Sequence, residues 1–456
     1  MKRFIRMQGL LAVFLSIAVM SSGCTAFLKD APGKGPSVQR SPAEKIKLSF
    51  WGGVPEFAIV DTNTIAAFNH SQDEIEVEYI RFVNDDNGNM NLDTTLMSGG
   101  AVDLFQTYGN NLNRLVMRAK NGAALELSGL FEANGYDPRE DVGEVAISAE
   151  VDGKPYGMVN SIKYQCYLLN KDLLDRAGIP IPEDWTIEEY RSIAKALSAG
   201  EGPEKRYGAL LDDTDWYKWM NSVRTKLGGD FLWNGDGTSG FDRPEVKKGL
   251  QLYYDMTFTD GSMPTLEETM TRKLQPQDLF LTGKVAMVDS PWIFRYIKDL
   301  GRYPHDFVTA FAPIPKMDHA QKDYYCPGGA SDIMSISARS PHKEAAFKFM
   351  RWFQTKGMLY VARSGRIPAS SDIDMEEAAR VILEGTERLF DLKTFKEIYL
   401  GTKFKKYAIQ TRTKGAPEIT KIVDEEEDGA LTGLISVEEA IDNMKKRADE
   451  VLKKEK

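Results

Sequence analysis

Cysteine is scarce. The 456-residue chain has three, Cys24, Cys166 and Cys326. A disulfide scaffold is excluded, so stability must come from packing. Histidine is also rare: His70, His305, His319 and His342 are scattered without metal-ligand spacing. Positive charge is in deficit, and the net charge of −9 speaks against nucleic acid, whose binding needs a basic face. The patterns G-x-S-x-G, H-E-x-x-H and G-x-x-x-x-G-K-[ST] are missing, which removes the commonest hydrolase, metalloprotease and phosphate-loop signatures. Beyond residue 20 no apolar run reaches the length of a membrane-spanning helix. There is no internal repeat and no coiled-coil heptad.

What is present begins with the N-terminus. Lys2, Arg3 and Arg6 precede an apolar stretch from Leu10 to Met20, the layout of a signal peptide over residues 1–23. The run stops at Ser21-Ser22-Gly23-Cys24. That stretch resembles a bacterial lipobox, with Ser21 where Leu is usual. The resemblance implies that Cys24 is acylated and anchors the mature chain to a membrane; more than one acyl chain suffices for stable anchoring. The bland alternative is a secreted protein with an incidental Cys24. Residues 24–41 carry Pro32, Pro36, Gly33 and Gly35 and read as a flexible tether.

Residues 42–456 have room for two cores. In KIKLSFWGG, Ile46, Leu48 and Phe50 alternate with polar residues and predict a strand. DTNTIAAFNHSQ reads as a helix, EIEVEYIRF as a strand, NMNLDTTLMSGG as a helix and AVDLFQTYGN as a strand. This alternation predicts an α/β fold with a largely parallel sheet. YQCYLLN reads as one further strand, followed by helix KDLLDRAG. Thr186 with Glu189 forms a capping box. GKVAMVDSPWIFRY predicts a strand, a turn and a helix start, and GGASDIMSIS a strand. Ser340 is expected to cap the helix with Pro341 at its first position, and a helix with a Ser436/Glu439 capping box closes the chain.

Four stretches carry a family resemblance: YQCYLLNKDLLDRAGIPIPEDWT, TGKVAMVDSPW, AFKFMRWF and the terminal SVEEA. In this order they resemble the family 1 extracellular solute-binding proteins of ABC importers, the group that includes maltose-binding proteins. The resemblance implies a type II periplasmic-binding-protein fold, in which two α/β lobes are joined by hinge strands around a ligand cleft. The N-lobe would comprise residues 42–162 and 330–365, and the C-lobe residues 165–325 and 366–456. It also implies a monomer at the extracytoplasmic face of the cell membrane that binds an oligosaccharide and docks on a permease. No catalytic residue, cofactor or metal is implied.

Ligands of α/β sheets sit beyond the carboxyl ends of the strands. Trp51 precedes glycines there, Gln106, Tyr108 and Asn110 follow the third strand, and Trp292 follows VAMVDS. Gly328 and Gly329 precede strand SDIMSIS near a hinge, and matching positions in the family add Lys163, Tyr164 and Trp216. A flat aromatic covers the C–H face of a sugar. Trp51, Tyr108, Tyr164, Trp216 and Trp292 are the candidate faces; Asp103, Gln106, Asn110 and Lys163 are the candidate polar partners. Each has a structural alternative. Trp51 and Tyr108 fit a core as well as a cleft, Asp103 could cap local backbone, and Arg366 could meet an acidic ligand or a hinge carboxylate. Trp185, Trp233 and Trp352 read as core. Cys166 and Cys326 both fall beside hinge strands and could lie within disulfide range.

NGDGTSGFDRPE resembles a calcium loop with Ser239 at the position that wants Gly. It reads better as a turn leading into a helix capped by Asp242 and Glu245, with Pro244 in its first turn. Two other functional classes remain open: a surface-anchored glycosidase-like enzyme and a sensor subunit that presents its ligand to a membrane kinase.

Overall fold

The structure is a computed structural model that describes residues 44–53, 58–109, 112–210, 218–411 and 414–454. Cys24 and the residues before it, with Asn110 and Trp216, lie outside the described residues. Lys45–Lys456 forms one unit holding two large sheets and a two-stranded hairpin, Glu150–Val151 with Lys154–Pro155.

Strand β1 (Ile46–Gly52) pairs in parallel with β2 (Ile75–Arg81) and β3 (Leu104–Tyr108). In β2 alternation works as expected, Ile75 and Val77 going in while Glu76 and Glu78 stay out; in β1 Leu48 and Phe50 are buried, but Ile46 is exposed and Ser49 is buried between them, where it bonds Asp103. Phe50 meets Phe349 and Phe353 edge-on at 5.6 and 5.8 Å. The helix Asp86–Ser98 starts where Asp85 accepts from Gly88 N–H and stops at Gly99, whose φ of 79° favours glycine.

The expectation of a largely parallel sheet holds for these three strands and for the pairing of Tyr207–Leu210 with Val285–Val288, while most other pairings are antiparallel. Strand β4 (Met158–Tyr164) leads to β5 (Cys166–Asn170) of the second sheet. That sheet adds β6 (Tyr207–Leu210), β7 (Val285–Val288) and β8 (Thr309–Pro313) in the order β8-β5-β7-β6. The chain then returns through β9 (Cys326–Ile336), antiparallel to both β3 and β4. A strand arriving from the other sheet enters at the opposite end, so the first sheet is mixed. Strand β10 (Ile367–Pro368) edges it against β4, and β11 (Tyr407–Ala408) pairs with the start of β9. YQCYLLN is therefore split: Gln165 is the step between two sheets, not the interior of one strand.

The second sheet buries Tyr167, Trp185, Tyr190 and Trp219 on one side. Phe294, Phe311, Phe390 and Phe395 lie on the other. Trp233 is buried too, while Trp352 is half-buried against the first core. The Thr186/Glu189 box forms in both directions. Two caps differ from expectation. The helix at Lys343–Trp352 starts after His342 and not after Ser340; the Ser340 hydroxyl donates to the buried Asp103 carboxylate at 2.5 Å and accepts from His342 N–H at 3.2 Å, ahead of the first turn. The helix Pro244–Tyr254 has Pro244 first as expected, but Arg243 precedes it and no side chain caps it. Ser436 accepts from Glu439 N–H as expected.

Candidate functional site

Two segments link the sheets, Gln165 and the first half of β9, while the stretch through Arg366 leads into β10 of the first sheet. Gln165 and Pro327–Ala330 of β9 floor a cleft between the sheets. One wall is the helix Leu112–Lys120, which follows β3, and the other is the helix Asn221–Leu227 of the second sheet. Asn113 Nδ2 donates to Thr420 Oγ1 at 3.3 Å, joining the first of these helices to Ala416–Leu431, which packs on the second sheet's core.

Of the residues expected at a binding site, Lys163, Gly328 and Gly329 line this cleft. Gly328 has no room for a side chain: a Cβ there would lie 2.4 Å from the Lys163 carbonyl. The two neighbouring glycines thus let the backbone itself form the wall. Tyr164 turns the other way, since side chains alternate along a strand. Its ring stacks on Tyr407 at 5.5 Å and covers Gly401, and burial pushes its hydroxyl well above the usual range.

A second group gathers at the ends of β1 and β3. Tyr108 donates to Gln106 Oε1 at 2.6 Å and accepts from Gly53 N–H at 2.7 Å. Arg366 lies over the Tyr108 ring, 5.8 Å from its centre. Its Nε contacts Asp332 Oδ2 at 2.9 Å and its Nη1 donates to Ser331 Oγ at 3.0 Å. Ser331 sits in a bulge between β9 and β4, a device that re-aims side chains. The Ser161 hydroxyl donates to the same Asp332 carboxylate. Burial raises the Asp332 carboxyl, and the Arg366 charge opposes that only in part.

The remaining candidates stand apart. Asp103 accepts from Ser49 N–H at 2.8 Å and from the Ser340 hydroxyl, so its carboxylate ties β1 to the segment before Lys343. Trp51 donates to the Ala101 carbonyl at 3.2 Å and packs near Leu92 and Leu96. Trp292 is half-buried at the turn after β7, edge-on to Tyr296 at 6.0 Å, with Arg295 5.2 Å above its ring. Cys166 and Cys326 are buried and free. Burial raises both thiols, which keeps them unreactive.

The structure also brings in residues not singled out in the sequence. Gln165, Asn221 and Arg224 line the cleft. Asn221 donates to Asp289 at 2.9 Å and accepts from Arg224 at 2.8 Å. Glu150 reaches the cleft while paired with Arg139 at 2.7 Å. A polar residue in the middle of YQCYLLN was the one signal available for Gln165. Nothing in the sequence pairs Asn221 with Asp289.

A cleft floored by crossing strands is matched by likeness to known proteins. A maltotriose-binding protein of Pyrococcus abyssi is 28% identical over 139 residues, 30% of this chain and 28% of that protein. A binding protein of Brucella abortus is 25% identical over 279 residues, 55% of this chain. The match spans 64% of that relative's length, less than two thirds. Among solved structures, a Listeria monocytogenes ABC substrate-binding protein in complex with cycloalternan superposes with a TM-score of 0.73 at 20% identity, over 90% of this chain and 100% of that one. A Mycobacterium tuberculosis protein in complex with glycerophosphocholine also gives 0.73, at 17% identity, over 90% and 99%. At such identity the superpositions show a shared fold and no more, and the two differ in what they hold. The model for bacterial extracellular solute-binding proteins matches residues 55–358. With two thirds of its length inside that match, the chain belongs to the bacterial extracellular solute-binding protein family.

Proposed function

We propose that this protein is the solute-binding subunit of an ABC importer and captures an oligosaccharide in the cleft for delivery to a membrane permease. One observation carries the reading: the walls of the cleft come from both sheets and its floor is the set of strands crossing between them. A ligand there touches both halves, so it favours their approach by its differential affinity for the closed arrangement. The halves are an N-lobe of residues 42–162 and 330–365 and a C-lobe of residues 165–325 and 366–456. The protein acts as a monomer, without catalysis. The maltotriose- and arabinooligosaccharide-binding relatives support the sugar assignment. Trp51, Asp103, Gln106, Tyr108, Asn110, Lys163, Tyr164, Trp216, Trp292, Gly328, Gly329 and Arg366 remain the proposed contacts or their supports.

A thermal-shift screen against oligosaccharides tests this, because a ligand of the native state alone raises the melting temperature. At least one sugar should do so and be recovered unchanged. Release of reducing ends would favour the enzyme instead. With such a sugar, Trp292→Ala should weaken binding by about 1–3 kcal/mol through lost stacking area and leave stability nearly unchanged. A variant that binds normally but melts early would make Trp292 a core residue.

We also propose that Cys24 is lipidated and holds the binder near its permease at the extracytoplasmic face, where tethering raises its effective concentration. The MSSGC motif supports this. Among the described residues no helix is long and apolar enough to span a membrane. Cys24→Ala should move the protein from the membrane fraction to the soluble one. Unchanged membrane association would refute the anchor.

A further inference from the structure

Gln165 occupies the step between β4 and β5. Its backbone N–H donates to the Pro327 carbonyl at 2.8 Å, which pins it to β9. Its side chain is 8% exposed and lines the cleft beside Asn221 and Gly328. The side-chain Oε1 has no hydrogen-bond partner among the described residues. Buried polar atoms are nearly always paired, and each exception calls for a cause. Packing does not provide one: Tyr164 and Cys166 on either side already serve the apolar core, and a leucine at 165 would avoid the desolvation penalty.

The neighbouring amide is already used. Asn221 gives its Nδ2 to Asp289 and receives Arg224 on its Oδ1. That relay sets the Arg224 charge against the Asp289 charge inside the protein. The unused acceptor belongs to a neutral carboxamide, which pairs with a hydroxyl donor. An ionised carboxylate is acceptor-only and, like a phosphodiester, offers it no proton. Facing it, Gly329 has a φ of 149°, and the nearest atom to a Cβ there is Ser148 Oγ at 3.8 Å, so bare backbone is presented to the cleft.

We propose that Gln165 is a specificity-determining residue: its free Oε1 accepts a hydroxyl from an uncharged sugar unit seated against Gly328 and Gly329. This rests on the solute-binding reading above. The test titrates the full-length protein, Gln165→Leu and Gln165→Asn with maltotriose, arabinotriose and trigalacturonate by calorimetry, with melting temperatures in parallel. A neutral trisaccharide should bind the parent and lose about tenfold or more in affinity in both variants, and Gln165→Leu should melt no earlier than the parent. Affinity retained in Gln165→Leu overturns the proposal while leaving the solute-binding reading intact; the amide is then satisfied by water. A parent that prefers trigalacturonate overturns it as well. If no sugar binds the parent, both readings fail together. Should Gln165→Leu not fold, Gln165→Asn decides, since it keeps the polarity and shortens the reach by one methylene.

Discussion

Replacing Arg366 with leucine should cost about 3–5 kcal/mol of stability, read as a lower urea midpoint. The cause is the partner left behind. Asp332 is 2% exposed and contacts Arg366 Nε at 2.9 Å. Without the guanidinium its carboxylate stays buried with only the Ser161 hydroxyl and distant charge. Adding Asp332→Asn to the leucine variant should recover much of the loss, because it removes the orphaned charge. The pH dependence follows from the sign of the shift. Burial already raises the Asp332 carboxyl above its ordinary value against the pull of Arg366, and the leucine variant would raise it further. A carboxyl raised by folding holds its proton more tightly in the native state. Its stabilising contribution is therefore present below the unfolded value and lost as pH rises through the folded one. The leucine variant should fall furthest behind the parent at neutral pH and approach it in acid. Equal stability of variant and parent at neutral pH would show that the pair contributes nothing.

That pair also shows how far the sequence could be read. Arg366 had two readings, an acidic ligand or a hinge carboxylate, and the geometry places it on Asp332. Choosing between them needs the register of β9 against β4 with its bulge at Ser331. That is a long-range pairing no local pattern encodes. Where a signal is local it was legible. Alternation located β1 and β2, and the Thr186/Glu189 box located a helix start. A cap was misplaced where a tertiary contact fixes the side chain: Asp103 holds the Ser340 hydroxyl ahead of the helix, which starts after His342. The site was hardest. Stacking chemistry directed attention to the aromatic of Lys163-Tyr164-Gln165, yet the pleat turns Tyr164 toward Tyr407 and presents its two polar neighbours to the cleft. An apolar–polar alternation tells which residues share a face. It does not tell which face meets the ligand when both are enclosed.

Lobe closure has a handle in the Asn113–Thr420 contact, at 3.3 Å between helices on opposite sides of the cleft. Cysteines placed at both positions in a Cys24→Ala background should be joined by a short bis-maleimide about tenfold faster with a bound sugar than without. Cys166 and Cys326 would not compete, being buried. The factor follows from populations. If closed molecules are about a tenth of the unliganded ensemble, a ligand that binds only that form raises them to nearly all, and the rate rises in proportion. A shift from 1:99 to 99:1 would require a differential affinity of about 10⁴, so a weak sugar should give a smaller factor and a tight one a factor set by the starting population. Rigid-body closure keeps secondary structure, so far-ultraviolet circular dichroism should stay the same while solution scattering shows a smaller radius of gyration. Rates that stay equal with and without a sugar that raises the melting temperature would remove closure from the mechanism. The cleft would then be a rigid receptor, and the role of Gln165 and the first half of β9 as a hinge would fall with it.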